Sequence, residues 1–316
     1  MLHRHNFKLL LILGLLLGDL AATHAGPYNF KQLNGPGALQ TMVNGINSNG
    51  QLVGWYLYPD FTGQGFVYDK GIFTAFDVPG ADFTLPLGIN KYGQIVGWYN
   101  DIITGALHSF LYDGVVLTLL NFPGSRGTDV FGLNDSGQVV GSYAGTDDML
   151  HGFLYGEGVF TSIDVPGAVS TSPRGINNRG EIVGYYTDSN FAVHGFLYHR
   201  GVFITLDVPG SFLTVAFGIN NNGDIVGSSD ENHGFLYRKG RFTRLDVPGA
   251  VGTTPFGIND AGQVVGWMVD RPTDPDESNL TCGFLASPGK PWAKASRNQD
   301  ISLCAGHTVE TNLLTN

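Results

Sequence analysis

The sequence predicts an all-β protein, a six-bladed β-propeller with four strands in each blade, and three observations lead to this class. A Gly-Ile/Leu-Asn tripeptide recurs at steps of 43, 44, 43, 43 and 39 residues, and a fixed period of this size is typical of propellers, solenoids and arrays. Each repeat reads as four short strands, the content of one blade. The two chain ends each supply part of a further blade. The marker glycines are Gly45, Gly88, Gly132, Gly175, Gly218 and Gly257.

The second repeat shows how each strand is recognised. A first strand over 84–90 ends in an Asn-x-x-Gly turn, whose residue types suit a type I turn. The second strand, 94–99, is rich in β-branched and aromatic residues, and a third follows at 108–112. The fourth strand ends at 121–124, where other copies read Asp-Val-Pro-Gly. Proline cannot donate to a β-ladder, so it marks the end of that strand.

The ends of the repeat region predict a closed ring. Residues 28–37 read as a fourth strand without its first three, and residues 282–285 read as a third strand without its fourth. Pairing the two completes the last blade and hides both sheet edges, which otherwise invite aggregation. We therefore expect the propeller to occupy residues 26–286.

The N-terminus reads as a secretory signal peptide over residues 1–25. Arg4 and Lys8 give a basic start, an apolar stretch covers 9–17, and Ala25 closes a small-residue cleavage site. The apolar stretch is too short to span a bilayer, although an uncleaved anchor is the alternative. The chain is thus expected to be periplasmic or extracellular, with no integral membrane span after cleavage.

Residues 287–316 match no repeat and are interpreted as a C-terminal tail. The two cysteines, Cys282 and Cys304, flank the start of this tail. An isolated even pair in an oxidising compartment predicts one disulfide, here joining the tail to the last blade. Two free thiols are the alternative.

The charge balance limits the partners. The chain has 17 basic and 27 acidic residues, a formal net charge of −10. This excess of acid argues against nucleic acid and anionic membrane surfaces as partners.

Acidic residues concentrate on one face of the predicted ring. In a four-stranded antiparallel blade, the loops after the second strand and the linkers between blades share one face, which we call the upper face. The Asn-x-x-Gly turns lie on the opposite, lower face. The upper loops, with almost no basic residue, predict a calcium site or a surface for a basic or polyhydroxylated partner. Solvated loops that keep the protein soluble are the alternative. The candidate binding residues are Asp101, Asp147, Asp148, Asp188, Asp230 and Glu231.

The axis of the ring offers a second candidate site. The residue before each marker glycine is apolar in four repeats, but it is Asn44 in the first and Arg174 in the fourth. If first strands line the axis, these polar side chains face each other across it. A buried arginine needs a partner or an anionic ligand, and the alternative is a solvated arginine at the channel mouth.

Two further repeat positions carry notable side chains, and both are interpreted as structural. Histidine opens the third strand in four blades, away from the axis, where imidazole rings are too far apart to share a metal. Tryptophan in the second strand indicates packing between blades, with a sugar-binding platform as the alternative. These residues are His108, His151, His194 and His233, and Trp55, Trp98 and Trp267.

No sequence motif identifies an enzyme. The chain lacks G-x-S-x-G, H-E-x-x-H, a phosphate loop and a Gly-rich dinucleotide fingerprint. The favoured interpretation is a module that binds carbohydrate or an extracellular protein. A polysaccharide hydrolase or lyase with its site at the axial mouth is the first alternative, since paired carboxylates can arise in a propeller mouth. A structural surface protein is the second.

The repeat resembles the HAF-repeat family of bacterial exported proteins over about residues 28–286. The resemblance rests on a His-x-Phe at the third strand, as in His151–Phe153 and His194–Phe196, and on the phrase P-G…T…G-I-N-x-x-G-x-V-V-G. The chain departs from the family in having Gly or Ser between His and Phe, and in replacing the histidine by Gln64 and Cys282 in the end blades. The resemblance implies an extracellular or periplasmic protein. It brings no established activity, so no catalytic residue is carried over.

Overall fold

The computed structural model describes residues 28–270 and 280–289. They form six antiparallel sheets of four strands each, and the inner strand of every sheet contacts the inner strand of the next around a ring. The predicted six-bladed propeller is confirmed. The predicted signal peptide, the tail beyond residue 289 and Cys304 lie outside the described residues.

Blades 1 to 3 each take four consecutive strands in chain order. Blade 1 contains β2 (Gln40–Ile46), β3 (Leu52–Leu57), β4 (Gly63–Asp69) and β5 (Ile72–Ala75). Blade 2 contains β6 (Ala81–Ile89), β7 (Ile95–Asp101), β8 (Leu107–Tyr112) and β9 (Leu117–Leu119). Blade 3 contains β10 (Gly127–Leu133), β11 (Val139–Ala144), β12 (Leu150–Gly156) and β13 (Val159–Ser162).

Blades 4 and 5 follow the same plan, and blade 6 begins in the same way. Blade 4 contains β14 (Ser170–Ile176), β15 (Ile182–Thr187), β16 (Val193–His199) and β17 (Val202–Leu206). Blade 5 contains β18 (Thr214–Ile219), β19 (Ile225–Ser229), β20 (His233–Arg238) and β21 (Arg241–Arg244), with a 3-10 turn at Asp230–Asn232. The last three strands are β22 (Gly252–Ile258), β23 (Val264–Val269) and β24 (Thr281–Pro288).

The N-terminal strand completes blade 6, as predicted. Strand β1 (Tyr28–Leu33) pairs antiparallel with β24, in register from Tyr28 opposite Pro288 to Leu33 opposite Gly283. The side chain of Leu33 is buried and packs with Val43 of blade 1. The first strand therefore ties the last blade to the first and covers the edge of β24 that would otherwise be open.

The core lies between neighbouring blades rather than in one central cluster. The phenylalanine of each His/Gln/Cys-x-Phe segment is buried between sheets, and both residues of the apolar pair in each second strand are also buried. Val139 and Val140, for example, have no exposed surface because each faces a different neighbour. The buried phenylalanines are Phe66, Phe110, Phe153, Phe196, Phe235 and Phe284.

The fourth strand is shorter than predicted, because the Asp-Val-Pro-Gly segment forms the linker to the next blade. In blade 1 the strand ends at Ala75, and the N–H of Val78 donates to Oγ1 of Thr84, at 3.0 Å, instead of to a sheet. Equivalent bonds at 2.9–3.0 Å reach the repeated threonine in the other five blades. In blades 1, 2 and 4 to 6 the side chain of this threonine is 0–2% exposed. The threonine fixes how each linker enters the next inner strand.

No helix within residues 28–270 and 280–289 is long and apolar enough to cross a membrane.

Candidate functional site

A β-bulge in every inner strand aims one side chain at the axis. The pairing of first and second strands shifts by one residue just before the marker glycine in all six blades, as between Pro173 and Gly175. A bulge re-aims the extra residue out of the regular alternation. The six extra residues are Asn44, Leu87, Phe131, Arg174, Phe217 and Phe256, and all of them line one axial pocket.

This axial pocket has a volume of about 310 Å³, at the small end of the 300–1,000 Å³ range of ligand pockets. Leu85 and Trp98 of blade 2, the ring of marker glycines and the Ile or Leu after each of them also line the pocket. The pocket is mostly apolar and aromatic, with Asn44 and Arg174 as the polar exceptions. The structure places both residues at the axis, and their role in binding a ligand stays a prediction.

Arg174 is fixed by aromatic neighbours instead of by an acid. Its guanidinium carbon lies 3.7 Å from the ring centroid of Phe131 and 5.2 Å from that of Tyr185. Its Nη2 donates to the Tyr185 hydroxyl at 3.1 Å. Within the described residues, Nε is buried without a hydrogen-bond partner, and no carboxylate forms an ion pair with the side chain. The guanidinium is thus held in one orientation without a direct ion pair among the described residues.

Asp129 is an acidic neighbour of Arg174 that sequence reasoning missed. It occupies the repeat position of Leu85 on the inner strand of blade 3, beside the axial pocket and not among the residues that line it. Burial of its surroundings raises the pKa of the Asp129 carboxyl, and the charge of Arg174 lowers it, with burial the larger effect. The other five repeats have Met, Leu, Ser, Val or Thr at this position. A single charged residue in this set could have identified Asp129 from the sequence.

Blade 4 adds a second buried polar group close to Arg174. Ser172, two residues earlier in β14, is 2% exposed, and its Oγ has no hydrogen-bond partner in the part of the chain that the structure describes. An unsatisfied buried polar atom costs about 1–3 kcal/mol. Ser172 and Arg174 carry two of the three such atoms found, so this cost is concentrated beside the pocket.

Asn44 faces Arg174 from the opposite blade. Its Nδ2 donates to the carbonyl oxygen of Pro86 at 2.9 Å, which fixes the orientation of the amide. Since the donor is used by the neighbouring blade, Oδ1 is left as the acceptor that the residue offers. The pocket thus presents donors at Arg174 and an acceptor at Asn44, with the Asp129 carboxylate beside it.

The upper-face acids mostly stabilise their own loops. Asp101 accepts the N–H groups of Ile103 and Thr104 at 3.0 and 2.8 Å. Asp188 accepts the N–H of Ala192 at 2.9 Å. Backbone and side-chain hydrogen bonds from Thr104 lower the pKa of the Asp101 carboxyl, and the Ala192 N–H does the same for Asp188. These carboxylates are charged, but their oxygens already have local donors.

The acids of blades 3 and 5 are also engaged locally. Asp147 accepts the N–H of Met149 at 3.1 Å and contacts the imidazole of His151. Asp148 forms an ion pair with Arg126 of the preceding linker. Asp230 accepts two backbone N–H groups of the linker between blades 4 and 5.

The structure does not gather these acids into a metal site. Asp230 and Glu231 lie together in the 3-10 turn Asp230–Asn232, Asp147 and Asp148 share one loop of blade 3, and Asp101 and Asp188 lie in two other blades. Among the residues described, no group of three or more His, Cys, Asp or Glu side chains is placed to hold a metal ion. Calcium binding stays a prediction without a described ligand set.

The repeated histidines take the structural role predicted for them. His151 stacks on Tyr143, with ring centroids 5.2 Å apart, and lies between Asp164 and Asp147, each with an oxygen 3.1 Å from an imidazole nitrogen. His194 repeats the arrangement in blade 4. In blade 1, Gln64 makes the corresponding bond to an aspartate, at 2.9 Å. The histidine position therefore links the third strand to the Asp-Val-Pro-Gly linker.

Trp55 packs between blades, as predicted, whereas the ring contacts of Trp98 and Trp267 lie within their own blades. Phe83 of blade 2 lies between Trp55 and Trp98, with ring centroids 5.3 and 5.7 Å away. Trp98 in addition lines the axial pocket. Cys282 is buried, and its predicted disulfide partner Cys304 lies outside the described residues, so the pairing stays a prediction.

The upper face also exposes large apolar side chains. Phe61, Phe191 and Phe212 are 77, 77 and 91% exposed. Phe61 and Phe191 sit at hairpin tips with positive φ angles of 65° and 64°, a conformation that is unfavourable for bulky residues. A backbone bridge between Val193 and Leu213 brings the segments of Phe191 and Phe212 side by side.

Comparison with known proteins gives structural neighbours only. No protein-family model matches the chain, and no curated protein matches it. AofleA from Arthrobotrys oligospora is 15% identical, with a TM-score of 0.48 over 80% of this chain and 85% of that one. The fucose-specific lectin from Aleuria aurantia is 11% identical, with a TM-score of 0.44 over 82% and 100%. The WD40 β-propeller domain of Doa1 is 11% identical, with a TM-score of 0.48 over 85% and 100%.

Proposed function

We propose that this protein is an exported binding module that holds a carbohydrate at the upper mouth of its axial pocket. The observation that carries the proposal is the pairing of oriented polar groups with aromatic faces in one small pocket. Arg174 supplies fixed donors, Asn44 supplies an acceptor, and the phenylalanine rings and Trp98 supply apolar faces. A sugar ring presents hydroxyl groups at its rim and C–H groups on its faces, and this combination complements it.

Export is part of the same proposal. The basic start, apolar stretch and small-residue cleavage site of residues 1–25 support secretion to the periplasm or the exterior. The resemblance to HAF-repeat proteins favours the same location. Mass spectrometry of the N-terminus of the exported protein tests it, and a chain that begins at Gly26 is the expected result.

The binding proposal is tested on purified residues 26–316 with a panel of immobilised polysaccharides. We expect retention without release of reducing ends, and loss of retention in Arg174→Leu, which installs the residue that Leu87 provides in blade 2. Arg200→Gln, in an exposed lower-face turn, is the matched control and should be retained like the parent. Release of reducing ends that disappears in Asp129→Asn would instead favour a carbohydrate-active enzyme.

A protein partner is a second candidate function, favoured by the exposed phenylalanines of the upper face. Aromatic side chains at the centre of an interface often carry much of its binding energy. A double variant, Phe191→Ser and Phe212→Ser, should abolish capture of such a partner while leaving retention on polysaccharide unchanged. Loss of polysaccharide retention in this variant would place the carbohydrate on the loops and not in the axial pocket.

A further inference from the structure

We infer that the axial pocket selects a sugar acid, with one carboxylate on Arg174 and a hydroxyl group directed to Asn44. The inference rests on the proposed carbohydrate function and names the class of sugar. The ligand is either a free uronic acid or the terminal residue of a uronate-bearing chain. Both present the same ring and carboxylate to the pocket.

The first step is the state of Arg174. Its guanidinium is stacked 3.7 Å above Phe131 and tethered to the Tyr185 hydroxyl, yet it meets no carboxylate among the described residues. A planar guanidinium that is already oriented binds a carboxylate through two parallel hydrogen bonds. In a narrow apolar pocket this attraction is stronger than at an exposed surface.

The second step is that the repeat does not require these residues. Other blades place Leu, Phe or Asn at the position of Arg174, and their second strands have Trp or Ser at the position of Tyr185. Asp129 is likewise the only charged residue at its repeat position. Arg174, Tyr185 and Asp129 thus all depart from the repeat at the seam between blades 3 and 4. The Nε atom of Arg174 is buried there without a hydrogen-bond partner among the described residues. Such buried unsatisfied groups are uncommon enough to call for an explanation, and ligand binding provides one.

The third step is the rest of the ligand. The Oδ1 atom of Asn44 accepts a hydrogen bond, which requires a hydroxyl donor in addition to the carboxylate. The apolar walls suit one ring, and the volume of about 310 Å³ suits one residue of a glycan. A simple carboxylic acid satisfies only Arg174, and a neutral sugar provides no carboxylate for the guanidinium.

The acidic surroundings limit the ligand to a single carboxylate. Asp129 disfavours a second negative charge near the first, as like charges within a few ångströms repel strongly. The upper-face acids lie out in the loops, where salt screens charges separated by more than about 8 Å at physiological ionic strength. The pocket therefore suits a monomer or a chain end better than the interior of a polyanion.

Isothermal titration calorimetry with matched sugar pairs tests the inference. Glucuronate and galacturonate are titrated against glucose and galactose, and we expect the acids to bind roughly 10- to 100-fold more tightly, the range of charge-assisted hydrogen bonds. Arg174→Leu should reduce the acids to the affinity of the neutral sugars. Arg174→Lys keeps the charge without the planar fork and should restore only part of the difference. Arg200→Gln should bind like the parent.

Further variants and ligands separate the outcomes. Tyr185→Phe keeps Arg174 but removes its tether, and a loss of roughly 2- to 10-fold for the acids alone is expected, because the tether orients the guanidinium without contacting the ligand. This variant also covers the case in which Arg174→Leu fails to fold. Trigalacturonate should bind like the monomer if only the chain end enters, whereas affinity that rises with each added residue overturns the single-carboxylate pocket.

The remaining results discriminate between the two proposals. Neutral sugars that bind as tightly as the acids, or acids that bind Arg174→Leu normally, overturn the sugar-acid inference and leave carbohydrate binding in place. If no panel glycan is retained and neither the acids nor the neutral sugars bind, the proposed function itself fails.

Discussion

Asn259 donates from Nδ2 to the carbonyl oxygen of Asn47 at 3.2 Å, across the seam where the last repeat meets the first. The same bond, at 2.9–3.1 Å, joins the repeated asparagines of every other neighbouring pair of blades. Six equivalent bonds thus form a closed circle around the lower end of the axis. The ring is held shut at its centre by side-chain amides and at its outer edge by strand β1.

Removing the seam amide should destabilise the whole ring. Asn259→Ala loses the bond to Asn47 and the bond that its Oδ1 accepts from the Gln263 N–H at 3.0 Å. With buried partners left unsatisfied, we expect a cost of about 2–3 kcal/mol in the free energy of unfolding, measured by urea denaturation. Asn134→Ala, in the middle of the chain, should lower the free energy of unfolding by the same amount, because Asn134 and Asn259 make equivalent bonds in the closed ring. A much smaller cost at Asn259 would mean that the seam opens readily.

A charge in the closing strand should open blade 6. Leu33→Asp places a carboxylate at a site that is 3% exposed, and the expected result is loss of the pairing between β1 and β24. The bare edge of β24 then favours self-association, which light scattering detects. Asn29→Asp makes a comparable charge change at an exposed position of the same strand and should remain monodisperse. Similar behaviour of the two variants would contradict the role assigned to β1.

The marker glycines should be intolerant of any side chain. A Cβ added to Gly132 would lie 2.8 Å from the carbonyl oxygen of Arg174, so the inner strands of blades 3 and 4 would have to separate. We expect Gly132→Ala to cost about 1–3 kcal/mol of stability, as overpacking does. Gly127→Ala, in the same strand with no atom within 4 Å of the added Cβ, should be nearly neutral. Equal stabilities by thermal melting would disprove the close approach.

His151 should make stability depend on pH in a defined direction. Burial lowers the pKa of His151, but the hydrogen bonds and charges of Asp164 and Asp147 outweigh it and hold the pKa above its usual value of 6.5. A histidine with a raised folded pKa contributes its full stability below the unfolded pKa and loses it as pH rises through the folded pKa. The parent should therefore lose stability, relative to His151→Gln, as pH increases from about 6.5.

His151→Gln is a conservative comparison because Gln64 makes the same bond to an aspartate in blade 1. The difference between the two proteins isolates His151 from the other titrating histidines. It is measured by urea denaturation at pH 6 and pH 9. A difference that stays constant with pH, or that grows in favour of the parent at pH 9, would contradict the raised pKa.

Much of the fold could be predicted because short sequence segments determine its strands and turns. The Asn-x-x-Gly turn, the apolar pair of the second strand and the marker tripeptide each act within a few residues. The count of strands at the two ends was enough to predict that β1 completes blade 6. The length of the fourth strand was overestimated, because the Val78 N–H bonds to the Thr84 side chain and not to a sheet.

The candidate site could be predicted only in part. Arg174 and Asn44 were found because they break an apolar series at one repeat position. Asp129 was missed, since its importance depends on the neighbouring blade and not on its own strand. The charge of the upper face was also visible in sequence, but hydrogen bonds such as that from Ala192 to Asp188 are made by loop conformations that the count of acids does not reveal.

The sequence by itself determined the strand order, the number of blades and the closure of the ring, because alternation and turn chemistry act between residues close in the chain. Only the tertiary structure decided which side chains share the axial pocket and which acids are already bound by their own backbone. The reason is that a one-residue bulge and the packing of adjacent blades place Asp129 near Arg174 and Tyr185. Such convergence depends on the geometry of the whole ring.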